Sequence, residues 1–139
     1  AAIEYLHEKR LRAFKRAIAA LPKDKLQLHD GLKAYWKHVT HPLYVVFHEL
    51  AVASRTDKGL AKILQPAQAA FYDEWYNLSY DLFPQWRSNT DALELAMDLV
   101  NTTLEGVAIR HLSIPEDIER ETRLFNYLEE CLSALKPKL

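Results

Sequence analysis

A chain of 139 residues is long enough for one domain with a substantial core and too short for two of ordinary size. Its 49% hydrophobic and 27% charged residues are ordinary for a soluble globular protein, and its net charge of −1 gives no sign that the whole chain binds nucleic acid. A single cysteine, Cys131, excludes an internal disulfide framework and favours a reducing compartment. No stretch has the uninterrupted apolar length of a membrane span and no signal peptide is visible, so a cytoplasmic protein with no membrane partner is expected.

With only 3 glycines and a helical pattern nearly throughout, the chain reads as all-α with six main helices. The first runs from the start to Leu21 and turns Ile3, Leu6, Phe14, Ala17, Ile18 and Leu21 to one side; Pro22 and Asp24 break it. Its basic run, Lys9, Arg10, Arg12, Lys15 and Arg16, reads as a solvated helix face. It opens in full helical pattern, without Met or an N-cap residue, which reads as a chain joined partway along a helix. The second helix spans Lys25 to Thr40, with Leu28, Leu32, Tyr35 and Val39 inward and Trp36 at the flank. Pro42 suits the first turn of a third, ending near Thr56. There Leu43, Val45, Val46, Phe47, Leu50, Ala51, Val52 and Ala53 go almost all the way round, the pattern of a central helix.

A short turn and helix over Asp57 to Leu64 leads to the fourth helix, Pro66 to Phe83, which Pro84 ends. Phe71, Trp75, Leu78 and Leu82 make its core row, and Tyr72, Tyr76 and Tyr80 a second row at spacing four. Ser88-Asn89-Thr90-Asp91 caps the fifth helix, which continues to Leu112. Ile114-Pro115-Glu116-Asp117 opens the sixth, closed by Pro137.

The fifth helix has more apolar surface than one core needs. Leu93, Met97, Val100 and Leu104 form one row. Leu95, Leu99 and Ile109, with the small residues Ala92, Thr103 and Gly106, form a second, and Glu94, Asp98, Asn101 and Glu105 fill a narrow polar wedge. The sixth helix is similarly two-faced, with Leu124, Tyr127, Cys131 and Leu135 beside Ile118, Phe125, Leu128 and Leu132. Two such helices at the end of a small chain predict a homodimer, with Leu95, Leu99, Thr103, Gly106, Leu124, Tyr127, Cys131 and Leu135 at the interface. The competing reading is a helix buried within its own domain.

The aromatic content points two ways. Phe71, Trp75 and the tyrosine row, with Tyr35, Trp36, Tyr44 and Phe47, exceed what a small helical core requires. They read equally as packing and as the lining of a small-molecule pocket. The pocket reading places Tyr35, Tyr44, Phe47, Phe71, Trp75 and Met97 around a ligand, with His48, Tyr76 and Asn101 as its polar groups; the ligand is then mostly apolar and flat.

Catalytic and metal patterns are incomplete. Glu4-Tyr5-Leu6-His7 has the Glu-x-x-His spacing of di-iron bundles, but no second copy occurs. His48-Glu49 begins a zincin motif that Val52 breaks, and His38 with His41 lacks a third ligand. There is no phosphate-binding glycine loop and no nucleophile elbow. No enzyme activity, metal or cofactor is expected.

Three stretches resemble the C-terminal half of tetracycline-repressor (TetR) family transcription regulators. Ala1-Ala2-Ile3-Glu4-Tyr5-Leu6 is similar to the helix after that family's DNA-binding unit. His41 to Leu50, continued by Ala53-Ser54-Arg55-Thr56-Asp57-Lys58-Gly59-Leu60, is similar to its central helix and the turn that follows. Leu104-Glu105-Gly106-Val107-Ala108-Ile109-Arg110 resembles its dimer helix. The resemblance implies a helix over 1–22 connecting to a DNA-binding unit and an effector-binding and dimerisation domain over 23–139. It also implies that the last two helices form an intersubunit four-helix bundle. DNA would be read only through a helix-turn-helix that lies outside this chain, under the control of a small-molecule effector. A helical protein-interaction adaptor and a helical-bundle enzyme are the alternatives.

Overall fold

Side-chain caps set most of the helix starts in a computed structural model that describes residues 2–22 and 28–136. Six helices run α1 (Ala2–Ala19), α2 (Leu28–Val39), α3 (Pro42–Ala53), α4 (Lys58–Leu82), α5 (Thr90–Arg110) and α6 (Ile118–Leu135), with a 3-10 turn at Pro84–Trp86. No strand occurs among the described residues. The expected start at Lys25, the side chain of Leu28 and the closing Pro137 lie outside the described residues. His41 Nδ1 accepts from Leu43 N at 3.1 Å with Pro42 in the first turn of α3, and Asp57 caps α4 through Leu60 N at 3.0 Å. Asn89 is the member of its polar cluster that caps α5, accepting from Ala92 N. Asp117 caps α6, so Pro115 and Glu116 precede that helix and are not in its first turn. Each cap satisfies a backbone N–H that the helix cannot, worth about 1 kcal/mol.

Two further expectations about the helices need correction. The break before Pro66 does not occur, and α4 runs through it as one helix of 25 residues. An interior proline costs about 3 kcal/mol, but Leu64 before it and Phe71 and Trp75 after it are all buried, and a single axis carries that burial across the proline. Nor is α3 central: only Tyr44 and Phe47 are buried on it, and Val52 is 51% exposed. The central place belongs to α2, which packs against α1, α3, α5 and α6. It buries Leu32, Ala34, Tyr35, His38 and Val39 while Lys33 and Lys37 remain exposed.

The core forms where α1, α2, α4, α5 and α6 meet. Phe14, Tyr35, Phe71, Trp86, Leu104 and Leu132 are almost wholly enclosed. Burying one such aromatic contributes about 2–3 kcal/mol. Gly31 admits the Phe83 ring against α2; a methyl group there would meet Phe83 Cζ at 3.2 Å. His111 Nε2 and Glu121 Oε1, 2.6 Å apart, clasp the end of α5 to the start of α6. Among the described residues no helix is long and apolar enough to cross a membrane.

Candidate functional site

Two recesses of opposite charge flank the core, and the first is built around Arg10. Leu6, Arg10, Phe14 and Ile18 follow one another at spacing four, so Arg10 lies on the inward row of α1. It is 2% exposed. Its Nε and one terminal nitrogen each lie 3.2 Å from His38 Nε2, and the other terminal nitrogen donates to Gln68 Oε1 at 2.7 Å. The guanidinium sits 3.9 Å above the Phe71 ring and 4.8 Å from that of Phe47, a double cation–π contact. Because an arginine only donates, His38 Nε2 accepts, which leaves the imidazole proton on Nδ1. Burial, then the charge of Arg10, pushes the His38 pKa down to about 3, so this ring is neutral. His7, edge-on to Phe47 and Phe71, is shifted down by the same two causes.

Beside Arg10 lies a cavity of about 180 Å³ between α1, α2 and α3. Ala13, Phe14, Ala17, Leu43 and Tyr44 give it apolar walls. Its polar residues are Arg10, Lys37, His38 and His41, and among the described residues no carboxylate lines it.

The second recess is an open groove of about 450 Å³ between α4 and α5. The tyrosine row of α4 faces the polar wedge of α5. Tyr35 and Tyr72 both donate to Glu105 Oε1, at 2.7 and 2.9 Å. The Tyr76 hydroxyl lies 3.1 Å from that of Tyr80 and 3.3 Å from Glu94 Oε1. Asp98, Asn101, Thr102 and Met97 complete the lining. Burial, then the Glu105 carboxylate, raises the Tyr35 and Tyr72 hydroxyls well above the usual phenol range, so both remain donors.

The nine residues assigned to one pocket are thereby distributed. Tyr35 stacks on Trp75 with centroids 4.9 Å apart, Phe71 stacks on His38 at 4.8 Å, and Trp75 Nε1 donates to Asn101 Oδ1 at 2.9 Å. These rings fill the space between the helices. Tyr44 borders the basic cavity, and Phe47 lies against the arginine that lines it. Tyr76, Met97 and Asn101 border the acidic groove, while His48 is half-buried on α3 and borders neither recess.

The residues assigned to an interface share one property, incomplete cover. Leu95 is 49% exposed and Tyr127 65%, and Leu124 is also open. Leu99, Thr103, Cys131 and Leu135 are half-buried. Gly106 is exposed, and a methyl group there would meet nothing within 4 Å. The inward row of α5, Leu93, Met97 and Leu104, is buried as expected, and α5 and α6 each have a second apolar face that the described residues cover only in part.

Sequence reasoning passed over Arg10, Gln68 and the role of Glu105. The signal for Arg10 was present: its spacing from Leu6 and Phe14 sets it apart from Lys9, Arg12, Lys15 and Arg16, which are all exposed. No protein-family model, curated protein or solved structure matches this chain.

Proposed function

We propose that this chain is the ligand-sensing and dimerisation domain of a TetR-like transcriptional regulator acting as a repressor. The observation that carries the reading is that α1 forms one wall of a cavity and is tied to the body by a buried polar contact. Arg10, Ala13, Phe14 and Ala17 all line that cavity from α1, and Arg10 grips His38 of α2 and Gln68 of α4. Anything that fills the cavity touches α1 directly. In the family that the sequence resembles, this is the helix adjoining the DNA-reading unit. A ligand with different affinity for two positions of α1 shifts DNA binding by that difference, about 5–150-fold for a coupling of 1–3 kcal/mol.

Dimerisation is the second half of the proposal. The uncovered faces of α5 and α6 belong against the same pair from a second copy, forming a four-helix bundle about a two-fold axis. Gly106 supports this, since nothing among the described residues requires a glycine there and a close backbone approach across the axis would.

Sedimentation of the isolated chain tests the dimer: a particle of twice the chain mass is expected. Leu99→Arg would bury an unpaired charge at a cost of several kcal/mol, and a folded monomer or an aggregate is the expected result. A folded Leu99→Arg dimer would overturn the interface, and a monomeric wild type would favour the adaptor reading. In gel-shift, the chain alone is expected not to discriminate operator-like from random duplex.

A further inference from the structure

We propose that the cavity between α1, α2 and α3 binds a small organic carboxylate with an apolar or aromatic body, its anionic head pairing with Arg10. This names the ligand chemistry of the sensor reading above and rests on that reading for its biological role.

The first argument is an unbalanced charge. Arg10 is buried, yet its hydrogen-bond partners are the neutral His38 ring and the Gln68 amide, with no carboxylate among them. Taking an ion out of water is costly unless an opposite charge compensates. The carboxylate that acts on Arg10 is that of Glu105, and its Oε1 already accepts from Tyr35 and Tyr72. These three contacts use three of the five N–H groups of a guanidinium, so one on each terminal nitrogen is left for a further acceptor.

The second argument is the lining. A chain with 18 basic and 19 acidic residues has no general excess of positive charge. This cavity nevertheless gathers two cations, Arg10 and Lys37, and among the described residues no acid lines it. Lys37 is exposed, so an anion arriving from solvent meets its positive charge at the rim and the buried guanidinium behind it.

The third argument is size and texture. The cavity measures about 180 Å³, and a cavity of about 150 Å³ holds a benzene ring. Phe14 and Tyr44 offer ring contacts, and the alanines at 13 and 17 on α1 leave the room. A nucleotide is too large for this space. Inorganic phosphate would satisfy the donors and leave the apolar walls wet.

Calorimetry and thermal shift on the full chain test the proposal with sodium benzoate, phenylacetate and isovalerate at millimolar concentration. Benzamide and inorganic phosphate at matched ionic strength are the controls. At least one carboxylate is expected to bind saturably, about tenfold or more tighter than benzamide or phosphate, since the charge-assisted pair is the main attraction. Ala17→Leu fills the cavity without touching Arg10 and is expected to abolish binding while the chain stays folded. Lys37→Gln, at the exposed rim, is expected to weaken it several-fold.

Failure of all three carboxylates to bind overturns the proposal, as does benzamide binding as well as benzoate or a folded Ala17→Leu chain that binds undiminished. Phosphate binding as tightly as benzoate overturns the organic class. Sedimentation in the same buffers keeps the two readings apart. A monomer that binds benzoate counts against the regulator reading alone, and a dimer that ignores every carboxylate counts against the anion site alone.

Discussion

The acidic groove and the basic cavity are made of the same materials, charged groups set among tyrosines on neighbouring helices, and they differ in what satisfies the charge. In the groove, Glu105 takes two tyrosine hydroxyls at 2.7 and 2.9 Å, while Glu94 and Asp98 remain in water. In the cavity, Arg10 is enclosed among neutral acceptors and ring faces. The carboxylate is completed by the fold, whereas the guanidinium is dehydrated by the fold and has no carboxylate in hydrogen-bond contact. Charge that is internally satisfied stabilises the structure. Charge that is buried and unmatched works against it, so its presence calls for a use outside stability.

Substitutions that separate these two roles sharpen the contrast. The largest effect belongs to Phe71, fully enclosed and stacked beneath both Arg10 and His38. Phe71→Ala should cost about 3–5 kcal/mol in denaturant unfolding, and a loss below about 1 kcal/mol would mean that this ring is not the floor of the basic cavity. Next is Tyr35→Phe, which removes a hydrogen bond to a carboxylate from a buried hydroxyl. About 2 kcal/mol should be lost. Tyr72→Phe should cost less because that ring is partly exposed. If the two losses add fully in a double mutant, the shared acceptor Glu105 does not couple them.

Acid should act through the basic cavity. The His38 pKa falls from 6.5 to about 3 on folding, so between these values the unfolded chain holds the extra proton. Its contribution is therefore neutral above pH 6.5 and destabilising as pH falls below it. The slope is about 1.4 kcal/mol per pH unit for one proton. His38→Gln, which keeps an acceptor for Arg10, should flatten the unfolding free energy between pH 6.5 and 5; an unchanged slope would mean that His38 is protonated in the fold. The smallest effect is expected at the exposed Lys15–Glu74 pair, 3.3 Å apart and about half in solvent. Lys15→Ala should shift stability by less than about 0.5 kcal/mol.

Much of this architecture could be read from residue order. The polar cluster before α5, Pro42 at the head of α3 and the stop at Pro84 all act as their chemistry dictates. The two-faced α5 is present as expected, because helical spacing alone assigns Leu93 and Leu95 to different sides. What was not legible depends on neighbours. Nothing local says that Pro66 will be carried within a long helix, since that is decided by burial on both sides of it, of Leu64 before and of Phe71 and Trp75 after. Nothing in the apolar run of α3 says that α2 will take the centre. The tyrosine row was visible as a row, but its partner became apparent only when α4 and α5 set Tyr72 against Glu105. Arg10 was hidden by averaging: one inward arginine among four outward basic residues looks like a single solvated stripe.

The unmatched arginine is the centre of this account, and the unfolding free energy of Arg10→Met tests it most directly. The substitution loses the charge-assisted hydrogen bonds to His38 and Gln68, about 2 kcal/mol each, and the cation–π contact, about 2 kcal/mol when desolvated. It also removes the several kcal/mol cost of keeping an ion buried. The predicted result is a ligand-free chain within about 1 kcal/mol of wild type that no longer responds to benzoate. A loss of about 3–5 kcal/mol, the size expected when a compensated buried pair is broken, would contradict it, because Arg10 would then be a structural charge like Glu105.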